Sequence, residues 1–513
     1  MKNRGKRQFI VLLALIFLLA GCAKDDVGST DGIISSEPDD SSSQQTASAA
    51  LTSFSLPYIS GETWNPTDCS DGTQQVLGSL LYEGLFVLDR SFAVHNVLCD
   101  SYTVSADFTS YTFNIRSGVT FSDGSALSAS DVSSAVKSAM SSARYGARLS
   151  SISSVSAGNG AVTIALKTAN NDLPALLDIP VVKASTADDD IPVGTGPYVY
   201  AKDDDGAYLA KNANWWQGKS LPLERIELTS VTDSSLMPYQ FSSREFHFVT
   251  TDLTATGSLS YSGDVVTTDA PTTILQYIGF NCQSSLFSDA AVRSALSLGV
   301  DRNYIVSAFL LGHAQSAAFP VSPASALYPS SIEKTYSSES FASAMSGCGM
   351  NSGSKHRATM IVCSDNSFKV SAAKYIASAL SLYDIDITVE ELPYDQYAAA
   401  LGAGNFDLYY GEVKMTSDFN CSALVGTGGS LNYGGFSDAA LDMLIKSAAA
   451  APDSNRSTSF LALQTRFQSD EPIIPIAFKT QSYVMPDGAA DDITPTAACA
   501  FYDFSSWKLH ING

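Results

Sequence analysis

The texture of the chain changes near Ile274, and that change constrains the fold more than any single motif. Before it, short runs alternate apolar and polar residues. Leu51 to Tyr58 (LTSFSLPY), Tyr111 to Arg116 (YTFNIR), 161–167, 197–210 and 223–231 all read as strands. The helices predicted there are one from about Thr73 to Tyr82 and one opening at Ser128-Ala-Ser-Asp131. In the second, Ser128 suits the N-cap and Asp131 the positive end of the dipole. After Ile274, helices are predicted near 289–298, 301–311, 368–382, 394–402, 437–450 and 454–469, with strands near 358–363, 385–390 and 406–413. No fixed-period repeat is visible. The pattern predicts two α/β lobes, the first carrying a strand-rich insert.

The first residues set the compartment. Lys2, Arg4, Lys6 and Arg7 precede an apolar stretch, Phe9 to Ala20, that is too short and wrongly flanked for a stable membrane span. The stretch ends Leu18-Leu19-Ala20-Gly21-Cys22, which resembles the lipobox of bacterial lipoproteins. That resemblance implies a signal peptide over 1–21 and acylation of Cys22, with the acyl chains holding the protein on the outer leaflet of the membrane. Residues 22–49 are rich in Ser and Asp and poor in large apolar side chains, the composition of a disordered tether.

Charge excludes whole classes of partner. The formal net charge is −22, from 30 Lys+Arg against 52 Asp+Glu, and the predicted signal peptide would take four of the bases and no acid. Nucleic acid needs clustered Lys/Arg to displace counterions, and anionic headgroups would repel this surface. Seven cysteines besides Cys22 (69, 99, 282, 348, 363, 421 and 499) show neither CxxC nor zinc-ligand spacing, and export permits disulfides without requiring them.

Catalytic motifs are missing. Gly218-Lys219-Ser220 mimics the end of a phosphate-binding loop, but the required glycine five residues before Gly218 is Ala213. There is no GxSxG and no HExxH, and the five histidines lie far apart. His247, within Phe-His-Phe, reads as a strand residue rather than a metal ligand. In Val193-Gly-Thr-Gly-Pro-Tyr-Val-Tyr200 the two glycines lack the lysine and following helix of a phosphate cradle. They read as a turn whose glycines supply permissive backbone angles, with Pro197 fixing the start of a strand.

Several segments, in order, resemble family 5 of the extracellular solute-binding proteins, the peptide/nickel class that serves ABC importers. Tyr82-Glu83-Gly84-Leu85 comes first, then 102–132 (YTVSADFTSYTFNIRSGVTFSDGSALSASDV), VGTGPY, and Asn214-Trp215-Trp216-Gln217-Gly218-Lys219. Tyr277-Ile-Gly-Phe-Asn281, Asp289 to Leu296 with Val300-Asp301-Arg302, Phe406-Asp407-Leu408 and Asn432 to Phe436 follow. Tyr102 stands where the family has Trp, and Phe108 where it has the glycine of a turn. The resemblance implies a two-lobed, type II (cluster C) periplasmic-binding fold of α/β class, with an extra α+β subdomain in lobe I and hinge crossover strands. Lobe I would be 50–75, 185–272 and 481–513, its subdomain 76–184, and lobe II 273–480.

The same resemblance implies a monomeric, non-enzymatic binder of a short peptide or similar zwitterion that needs no cofactor or metal. Its partners would be the permease and ATPase subunits of an importer. Such members hold peptide along a strand edge of lobe II. The matching segment is Phe406 to Asn420, where the family's usual amine-binding Asp falls on Thr416. Glu412 and Asp418 are thus the candidates for an amine contact and Lys414 for a carboxylate. Trp64, Asn65, Tyr277, Asn432 and Lys479 are expected to line the cleft. A nickel-chelate or haem binder on the same fold, a ligand-sensing lipoprotein without transport, and a secreted hydrolase are the alternatives.

Overall fold

The computed structural model describes residues 51–511 apart from Thr52, Glu333 and Lys334, all within one compact unit, Ser48–Gly513. The signal peptide, Cys22 and the tether lie outside the described residues. No described helix is long and apolar enough to cross a membrane.

Two four-stranded sheets and one seven-stranded sheet carry the fold. The first sheet runs Ser55–Ile59, Arg225–Val231, Gly206–Lys211, Tyr198–Asp203, with its leading pair parallel. The single strand expected over 197–210 is therefore a hairpin. The second is antiparallel, in the order Cys99–Val104, Ser110–Ile115, Ala161–Leu166, Ile152–Gly158. Helix Ala129–Ser141 packs on it and begins with a capping box, in which the Ser128 hydroxyl accepts from the Asp131 N–H and the Asp131 carboxylate from the Ser128 N–H. Phe108, where the family has glycine, adopts φ 54° and keeps the left-handed turn.

The seven-stranded sheet is ordered Val249–Thr251, Ile473–Pro486, Val265–Phe280, Leu408–Lys414, His356–Cys363, Ile385–Leu392, with Ala314–Ser316 added beside Ile473–Pro486. Alternate residues of its strands enter opposite cores. Ile278, Phe280 and Leu408 face helices Ala290–Leu298, Arg302–Phe309 and Ser367–Leu380, while Leu275, Tyr277 and Tyr409 face Ala439–Ala449 and Arg456–Asp470. Each fully buried side chain of this size contributes roughly 1.5–3 kcal/mol. Two buried arginines close the layers. Arg293 donates to the carbonyls of Phe287, Ser288, Asp470 and Glu471, and Arg302 to those of Pro475 and Ser297.

VGTGPY has a different structural reason from the one expected. Gly194 and Gly196 have no positive φ; a Cβ on Gly194 would lie 2.1 Å from the Leu81 carbonyl oxygen, and one on Gly196 2.5 Å from the Leu81 carbonyl carbon. The glycines serve close approach, which the Gly196 N–H to Leu81 O bond (2.9 Å) completes. Between them Thr195 donates to Glu83 (2.8 Å). The indoles of Trp216 (2.6 Å) and Trp215 (3.3 Å) and the Gln217 amide (2.8 Å) converge on the same carboxylate. Three of the sequence motifs thus meet at one buried acid. Replacing it strands four donors, so Glu83→Ala is expected to cost about 3 kcal/mol or more in urea unfolding with a red shift of tryptophan emission. A midpoint equal to wild type would contradict this role.

His247 is not in a strand; it sits two residues before Val249–Thr251, where its Nδ1 accepts the Ser55 N–H (3.0 Å). Burial, with Arg244 adding to it, pushes its pKa down from 6.5 to about 4. The unfolded chain therefore takes up this proton first. Stability is expected to fall as pH drops from 6.5 towards about 4, by on the order of 2–3 kcal/mol from this group, and His247→Gln should remove that part of the slope. Melting temperatures across that range check it.

The seven described cysteines stand as free thiols.

Candidate functional site

The long strands Val265–Phe280 and Ile473–Pro486 run antiparallel from one set of layers to the other, and their ladder breaks between Pro271 and Leu275. Proline has no N–H to donate, and a break of this kind bends a strand. Thr272 takes over locally: its hydroxyl donates to the Lys479 carbonyl (2.6 Å) and accepts the Ile274 N–H (3.0 Å). Pro271 to Ile274 lie in the wall of a cleft of about 1100 Å³. Its other walls come from helix Gly72–Leu81 (Gln74, Gly78), the segment Tyr82–Val97, Arg144 to Arg148, Trp215–Gln217, Val413–Ser417 and Thr496–Ser505.

Of the residues expected at the site, Trp64, Lys414 and Thr416 line this cleft. Trp64 is also a core residue, packed on Tyr58 and Tyr200. The others lie elsewhere. Tyr277 sits across from Gly411 in the ladder, edge-on to Tyr409 and 3% exposed; a Cβ on Gly411 would strike its ring at 2.5 Å. Asn65 donates to the Ala187 carbonyl (2.7 Å), and Asn432 ties its own loop through the Gly426 (2.9 Å) and Phe436 (2.7 Å) carbonyls. Asp418 accepts from the Asn170 amide (2.9 Å), the Thr416 hydroxyl and the Asn420 N–H (3.3 Å).

Glu412 and Lys479 are brought together, but as counter-ions. Lys479 is buried against Asp252 and lies 3.7 Å from Glu412, which also meets Lys369 (3.1 Å) and accepts from Gln276 (2.9 Å). Burial raises the Glu412 carboxyl, yet Lys369 and Lys479 outweigh it and hold the pKa below the usual value. This cluster ties the strand Leu408–Lys414 to the two long strands and stands outside the cleft lining.

Sequence reading missed Arg144 and Arg148. Their guanidinium carbons lie 5.0 and 4.9 Å from the centre of the Tyr145 ring, and Arg148 pairs with Asp178 (2.7 Å). Burial, then repulsion from Arg144 and Arg148, pushes the Lys414 ammonium below its ordinary pKa against the pull of Asp178. The signal available was ARYGAR itself, two arginines four apart around a tyrosine in an arginine-poor chain.

Away from the long strands, the insert touches the later half of the chain. Asn170 reaches Asp418, the Asn171 amide donates to the Ala451 carbonyl (2.9 Å), Asp172 pairs with Arg456, and Phe92 meets Phe419 edge-on (5.1 Å).

A family model for the bacterial extracellular solute-binding proteins, family 5 (middle), matches residues 93–423. The chain belongs to that family. Among curated proteins it is similar to the glutathione-binding protein GsiB of Salmonella typhi, 28% identical over 277 residues (51% of this chain and 54% of that protein). It is also similar to GsiB of Escherichia coli O1:K1 / APEC, 27% identical over the same length and shares. The chain thus spans about half the length of the curated relatives it matches. In fold it is similar to HbpA2 from Haemophilus parasuis (TM-score 0.74, 18% identity, 89% of this chain and 99% of that one). The nickel ABC transporter structure from Bacillus halodurans (TM-score 0.73, 18% identity, with the same coverage) shares the fold too. These family 5 structures carry the type II periplasmic-binding fold implied by the motif order.

The Asp172 contact has a defined pH response. Burial pushes its carboxyl up to about 6; Arg456 opposes this, while Asp418 and Asp453 add to it. The packed form therefore binds a proton more readily than a solvated Asp with the ordinary value of 3.8. Acidification below about 6 favours the packed contact, and raising pH through about 6 adds a desolvated charge and weakens it. A fluorophore pair reporting the distance between residues 171 and 457 should read closer at about pH 5 than at about pH 8. Asp172→Asn should flatten the profile; a profile of opposite sign would contradict the assignment.

Proposed function

We propose that this family 5 protein is the substrate-binding component of an ABC importer, lipid-anchored through Cys22 outside the cell membrane. It captures a short peptide or similar small solute between two lobes and passes it unchanged to the permease. The observation that carries this reading is the cleft of about 1100 Å³ set against the broken ladder of the two long strands. Its volume suits a small multi-residue ligand. The ladder break offers a place for bending, and the contacts of Asn170, Asn171 and Asp172 would close the opposite side. On this reading lobe I is 50–75, 185–272 and 481–513, with subdomain 76–184, and lobe II is 273–480. Lys414, Thr416 and Trp64 are its ligand contacts, and the protein acts as a monomer.

Similarity to glutathione-binding proteins, which by name bind a short peptide, supports the peptide class. A non-enzymatic role is supported by relatives named for binding and by the lack of a catalytic motif in the sequence.

Thermal-shift screening of the purified chain against short peptides, sugars, amino acids and nickel chelates tests this. A rise in melting temperature is expected with peptides, and mass spectrometry should recover them uncleaved. Cleavage of the bound peptide would overturn the transport role, and a response confined to sugars would overturn the peptide class.

A further inference from the structure

Resting on the reading that the cleft binds a solute, we propose that it selects an acidic ligand, one bringing at least two anionic groups to Arg144 and Lys414. The inference comes from the ionic partners of the lining residues. Four carboxylates line the cleft, and each is engaged. Glu83 accepts four hydrogen bonds; Asp89 meets His95 (2.8 Å), Asp178 meets Arg148 (2.7 Å) and Asp503 meets Lys219 (3.8 Å). The cations are not balanced in the same way. Among the described residues neither Arg144 nor Lys414 has a carboxylate within 4.0 Å, although the chain carries 52 acidic side chains.

Unpartnered donors point the same way. The Tyr82 hydroxyl and the Gln74 Nε2 are buried, line the cleft and have no partner among the described residues. With the two cations they put donors among the residues that line the cleft, while each lining carboxylate already has an ionic or hydrogen-bond partner. A ligand carboxylate completes such a set of donors with charge-assisted hydrogen bonds. A ligand ammonium finds no free carboxylate. The arrangement favours an acidic peptide over a neutral zwitterion, and excludes a basic one.

Calorimetric titration of the full chain with three tripeptides of matched size, Glu-Gly-Glu, Gln-Gly-Gln and Lys-Gly-Lys, tests this. The acidic peptide is expected to bind at least ~10-fold more tightly than the neutral one, with affinity falling as salt rises, and the basic peptide not at all. Lys414→Gln and Arg144→Gln should each bring the acidic-to-neutral ratio close to unity by weakening the acidic peptide more than the neutral one. Lys414→Arg should retain the ratio, which separates lost charge from lost folding. Equal binding of acidic and neutral peptides, or a ratio unchanged in both Gln variants, would overturn the acidic selection and leave peptide binding intact. Binding of tricarballylate with no response to any peptide would overturn the peptide class and uphold the acidic selection. Silence from every probe would overturn the acidic selection.

Discussion

The fold depends on the pairing of two long strands, Val265–Phe280 and Ile473–Pro486. At one end Ile473–Pro486 pairs with the edge strand Val249–Thr251, and the two long strands send Ala270, Tyr483 and Met485 into the core of the first sheet. At the other they form the middle of the seven-stranded sheet, where Ile278 and Ile474 face one helical layer and Leu275 and Phe478 the other. A continuous ladder would make this connection a stiff ribbon. Pro271 removes one donor from it, and the Thr272 hydroxyl replaces the lost bonding with a side-chain link to the Lys479 carbonyl. Lys479 points its ammonium the other way, into Asp252 and Glu412. Backbone break and buried charge cluster therefore meet at one residue.

Charge is distributed against expectation for so acidic a chain. Surplus carboxylate sits on the solvated surface, where self-repulsion is screened. Inside the cleft, carboxylates are consumed by internal work, with Glu83 holding the two indoles and Thr195, and Asp178 holding Arg148. Cations without a carboxylate partner are left over. The contact made by Asp172 follows the same logic: burial raises its carboxyl against the pull of Arg456, and Asp418 and Asp453 add to that, so a proton removes a desolvated charge.

Local structure was legible where local rules governed it. Ser128 read as an N-cap and Asp131 as a first-turn acid, and together they form a capping box; the alternation in YTFNIR produced the strand Ser110–Ile115. The order of motifs gave the family, because a shared scaffold preserves the residues that pack its layers. Site residues were another matter. Tyr277 matches a position that the family resemblance implies lines the cleft, yet Gly411 lies opposite it and the ring fills that gap. Asp418 lies close to the expected amine position, but Asn170, 248 residues away in sequence, satisfies it. Arg144 and Arg148 carried no motif; their meaning comes from Lys414, which lies far along the chain and beside them in space.

By itself the sequence determined the element pattern, the division of textures near Ile274, the class of protein, and the nature of its charge. The class of protein follows from the ordered motif resemblance, and the rest from periodicity, capping and composition, which act over a few residues or over the chain as a whole. Only the tertiary structure decided which polar groups are spent on one another and which remain for a ligand. A carboxylate or an ammonium has the same identity in either role, and its free energy depends on burial and on the partner that folding places beside it. Glu412 is spent on lysines and Asp418 on an asparagine, while Lys414 remains in the cleft beside Arg144.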